Sequence, residues 1–61
     1  MYIVEISDFQ YEVIGMCVVQ HIADAIATAK SVGYAADVID ATTGEVLWTR
    51  VGSEIIYSIF E

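Results

Sequence analysis

Cys17 and His21 are the chain's one thiol and one imidazole, and they stand four residues apart. On a single helix that spacing would put both on one face, as a thiolate–imidazole nucleophile requires. The neighbouring residues argue against it. Helical periodicity begins only near His21, which leaves Cys17 in a β-rich run, where a cysteine is expected to be an inert, buried hydrophobe. His21 is then a surface or helix-start residue. Cys17, His21 and Asp24 would hold a metal only with further ligands, and none is obvious, so neither metal nor cofactor is expected. One cysteine also rules out a disulfide framework.

Carboxylates are the other reactive stock: nine acids against Lys30 and Arg50, a net charge of −7. They are scattered, and paired acid–base chemistry needs a cleft that a chain of 61 residues has little volume to build. Their plain reading is a solvated acidic surface. The sharper one is a phosphate-like array imitating nucleic acid, for which Glu5, Asp37 and Glu45 are the best candidates if their strands are neighbours. Such a charge repels nucleic acids and anionic membranes and favours a basic protein partner. With no glycine-rich phosphate loop, nucleophile elbow or triad, a non-enzymatic role is expected.

The elements that position these residues are those of a single domain, 1–61. Of 18 Ile, Val and Leu residues, 17 are β-branched, which favours strands. Tyr2–Ser7 and roughly Gln10–Val18 read as a hairpin. Ile22, Ala25, Ile26, Ala29 and Val32 then recur at helical spacing, with Asp24 and Lys30 suiting the dipole and Gly33 placed for a left-handed cap. Neither Gln20 nor His21 is a favoured N-cap. Tyr34–Asp40 and Glu45–Val51 read as strands joined by a turn in which Asp40 accepts backbone N–H groups and Gly44 takes positive φ. Gly52-Ser53 suits a type II′ turn into a last strand, Glu54–Phe60, with a short helix as the competing reading. The expected fold is α+β: a two-layer sandwich of one helix on a four- to five-stranded antiparallel sheet, in the order ββαβββ.

The segment Asp40-Ala41-Thr42-Thr43-Gly44-Glu45-Val46-Leu47-Trp48 resembles the hairpin motif of quinoprotein-type β-propeller repeats. In that family the motif packs blade against blade and does no catalysis. A propeller needs at least four blades of roughly 40 residues, so the resemblance implies a good hairpin and no function.

One helix covers one face of such a sheet, yet several strands alternate apolar residues to both sides. Simple alternation puts Leu47 and Val51 opposite Val46 and Trp48, and Ile55, Tyr57 and Ile59 opposite Ile56 and Phe60. A second apolar face needs a cover. A second copy is the expected one, giving a homodimer, with another protein as the alternative. Trp48, Tyr57, Phe60 and Tyr34 are the candidate anchors, although each is equally an ordinary core residue. The expected function is a small acidic protein-binding module, or else an acidic inhibitor of a basic nucleic-acid-handling protein. A lone thiol and no recognisable leader point to the cytoplasm. No apolar run exceeds seven residues (Val13–Val19), so no membrane span is expected.

Overall fold

A computed structural model describes residues 1–60. It contains β1 (Tyr2–Ser7), β2 (Val13–Val19), α1 (Ile22–Ser31), β3 (Ala35–Asp40), β4 (Val46–Val51) and β5 (Glu54–Ser58). The strands form one antiparallel sheet in the order β2-β1-β3-β4-β5, with the helix on one face. The expected ββαβββ sandwich is therefore present, and the last element is a strand. It ends at Ser58, where the Ser58 hydroxyl accepts the Phe60 N–H in a turn. No helix among the described residues is long and apolar enough to cross a membrane.

Alanines bring the helix close to the sheet. Ala25 and Ala29 are fully buried and meet Val4, Val38 and Trp48, with Ile22 and Ile26 packed at the side. Small side chains at i and i+4 let the helix backbone approach, while larger ones from the strands fill the layer between. The start of α1 is weak: His21 is the N-cap and makes no side-chain capping bond.

The end of α1 is held from elsewhere in the chain. Arg50 is buried on the helix side of β4 and spends its guanidinium on carbonyls. Its Nε donates to Ala29 O at 2.9 Å, Nη1 to Gly52 O at 2.7 Å and Tyr34 O at 3.4 Å, and Nη2 to Val32 O and Gly33 O. The positive charge lies at the negative end of the helix dipole and ties the helix exit to the β4–β5 turn. Gly33 follows an extended Val32 with φ +75°, and a Cβ there would collide with Ile6.

The turns form as their residues dictate. Asp40 Oδ1 accepts Thr42 N–H at 2.8 Å, and Gly44 takes φ +78°. Gly52 has φ +61° and Ser53 does not have a positive φ, the pattern of a type II′ turn between Val51 and Glu54. The first connection is longer than expected, so β2 begins at Val13 and not near Gln10. Asp8 Oδ1 accepts the N–H groups of Gln10 and Glu12, and Tyr11 turns the chain with φ 64°.

Three bulges break simple alternation. The pairings skip Ile14 in β2, Leu47 in β4 and Ile56 in β5. Each extra residue moves the remainder of its strand to the other face. Val46 and Trp48 consequently lie on opposite sides of the sheet, and so do Ile55 and Tyr57, contrary to the expectation from alternation alone.

Candidate docking surface on the open sheet face

Val4, Val38 and Trp48 point into the helix-side core, so their strand neighbours point away from it. Register then orders the other face into rows. Val18, Ile3, Ile39 and Val46 form an apolar row across four strands. Met16, Glu5, Asp37, Thr49 and Tyr57 form the next, across all five. Val13, Ser7, Ala35, Val51 and Glu54 form the third. No described element covers this face. Val18 is 56% exposed, Met16 59%, Val46 40% and Tyr57 47%. The inner residues Ile3, Glu5, Asp37, Ile39 and Thr49 are half-buried by one another.

Glu5 and Asp37 are direct cross-strand partners, and β3, which carries Asp37, is the central strand. Directly opposed residues have Cβ atoms about 4.5–5.5 Å apart, and like charges so placed repel. Both of the chain's basic side chains serve the other side of the sheet: Lys30 in the last turn of α1 and Arg50 beneath it. The structure thus brings two of the three sequence-selected acids together. Glu45 stands apart in the β3–β4 turn, where its N–H donates to Thr43 Oγ1 and its carbonyl accepts the Asp40 N–H.

The four aromatic candidates do not share one patch. Tyr57 ends the acidic row on the open face. Trp48 is 2% exposed and belongs to the core. Phe60 lies on the helix side, where with Trp48, Ile55, Ile22, Ile26 and Lys30 it lines an open groove of about 230 Å³ between α1 and β5. Tyr34 meets Tyr11 edge-to-face, with centroids 6.3 Å apart, at the Gly52 end of the sheet.

Chemistry-bearing groups are not gathered. Cys17 is half-buried against the helix-side core in β2, opposite Val4, and His21 is exposed at the helix start. Among the described residues no group of three His, Cys, Asp or Glu side chains could hold a metal ion. Arg50 is the structurally decisive residue that sequence reasoning missed. Its partners are backbone carbonyls from three separate segments, which no spacing rule reveals. Compared with protein-family models, with curated proteins and with solved structures, the chain shows no significant match, and what it does must be read from its own surface.

Proposed function

We propose that the protein is a small, non-enzymatic protein-binding module that works through the sheet face opposite its helix. The observation carrying this reading is the uncovered apolar row Val18–Ile3–Ile39–Val46, whose outer members are both exposed. Contiguous apolar surface of this kind marks interaction sites on soluble proteins. The total accessible surface of 3892 Å² is close to the ~3900 Å² expected of a folded monomer of this mass. The domain is therefore no larger or more open than others its size. Another protein is the cover proposed for that face; a second copy is the alternative that sedimentation detects. A cytoplasmic setting belongs to this reading through the single free thiol.

The test is affinity capture from the source cell with the parent and with a Val18→Glu/Val46→Glu variant, alongside sedimentation of each. Loss of captured protein or of self-association in the variant is expected. Retention of both, with loss on Ile55→Glu in the α1–β5 groove, would move the site to the helix side.

A second reading, an acidic antagonist of a basic nucleic-acid-handling protein, is favoured by the opposition of Glu5 and Asp37 on the same face. Its signature is affinity that falls steeply with salt; affinity unchanged between low and high salt would remove it.

A further inference from the structure

We infer that the open face receives a partner segment bearing an arginine or lysine flanked by apolar residues, with the cation seated between Glu5 and Asp37, and that the same acid pair keeps two copies of the chain from stacking face to face. This rests on the proposed docking role and names the partner's chemistry.

Position carries the first half. Glu5 and Asp37 occupy the middle row on two inner strands, one of them central, so anything covering the face covers them. The fold supplies no lysine or arginine to this face: the guanidinium of Arg50 is bound to carbonyls on the far side, and Lys30 lies on the helix. A cover without a cation would press two neighbouring carboxylates out of water beside each other, at a cost that a positive group offsets. One guanidinium can donate to both, because its forked N–H groups match carboxylates set a strand apart. On one side of the pair lies the aliphatic row, and on the other Ala35 and Val51 stand beside Ser7. Met16 and Tyr57 close the ends of the acidic row itself. Rows two residues apart repeat at about 7 Å, the spacing of alternate side chains in an extended chain. The complementary segment is therefore apolar, basic, apolar at alternate positions.

The second half comes from symmetry. A face-to-face two-fold dimer closes the same face of both copies into one interface. Stacked sheets lie about 10 Å apart. Four carboxylates would then share one dry layer with no lysine or arginine among them.

The experiment is an amide NMR titration of the full chain with three synthetic pentapeptides, Val-Thr-Xaa-Thr-Val, whose first, third and fifth side chains share one face when extended and in which Xaa is Arg, Gln or Glu. It is repeated on Glu5→Gln/Asp37→Asn, and both proteins are examined by sedimentation velocity. The arginine peptide should shift the amides of Glu5, Asp37 and Thr49 and bind about tenfold more tightly than the glutamine peptide. The neutralised variant should lose that preference and self-associate at lower concentration than the parent. Equal affinity for the arginine and glutamine peptides at this face would overturn the cation seat while leaving the docking reading intact. Shifts spread over distant acids such as Asp24 and Glu12 would overturn the seat as mere attraction to a negative protein. No shift at the face with any peptide would sink the docking reading itself. An unchanged mass for the neutralised variant would overturn the anti-stacking role.

Discussion

Truncating Arg50 to alanine tests how far this fold depends on one side chain. The guanidinium bonds carbonyls of Ala29, Val32, Gly33, Tyr34 and Gly52, of which the Ala29 bond is fully buried. Leaving one buried acceptor without a donor costs about 1–3 kcal/mol. Losing a cation at a partly buried helix C-terminus removes up to ~2 kcal/mol more. The four part-buried carbonyls can turn to water, so their losses are small, and the sum is about 1–5 kcal/mol. At roughly 0.05–0.15 kcal/mol per residue, a chain of 61 residues has about 3–9 kcal/mol in total. Arg50→Ala should therefore remove a sizeable part of the stability and lower the melting temperature by ~4 °C or more. Thermal and urea unfolding, followed by helix circular dichroism and Trp48 fluorescence, measure this. Arg50→Lys keeps the charge but not the fork, and should recover no more than about half of the loss. A change below ~1 kcal/mol on Arg50→Ala would refute the reasoning. It would mean that burying the charge costs as much as its carbonyl bonds return.

Other perturbations should act in defined directions. Gly33→Ala meets both a positive φ and the Ile6 side chain, so a loss of about 2 kcal/mol or more is expected in urea unfolding; Gly44→Ala, with open space around its Cβ, should lose only about 1 kcal/mol. His21→Ser supplies the missing N-cap and should raise stability by about 0.5–1.5 kcal/mol, read as a higher melting temperature. Asp37→Thr removes the repulsion with Glu5 and places a better strand former in β3, so a gain of about 0.2–1 kcal/mol is expected. That gain should shrink as salt is added, because salt already screens the parent's repulsion.

Element order was legible in the sequence because it depends on local signals. Alanines at alternate positions from 23 to 29, Gly33 at the helix exit and Gly44 and Gly52 at the turns each act within a few residues of themselves. The existence of a second apolar face was legible for the same reason. Its membership was not, since the bulges at Ile14, Leu47 and Ile56 shift alternation by one and are fixed only by the opposing strand. The candidate site divided along the same line. Glu5 and Asp37 could be named from their residue type, but their opposition is a matter of β1–β3 register across some thirty intervening residues. Trp48 could be named as a large aromatic, and only packing decides that the ring is core.

The placement of two of the three bulges bears on how the sheet's rims meet another chain. Ile14 and Ile56 lie in the two outermost strands, where an unbroken ladder would template the addition of another chain and, in time, a fibril. The extra residue bends each rim and interrupts its row of free amides and carbonyls. Polymerisation along the hydrogen-bonding direction is therefore hindered at both rims of the sheet.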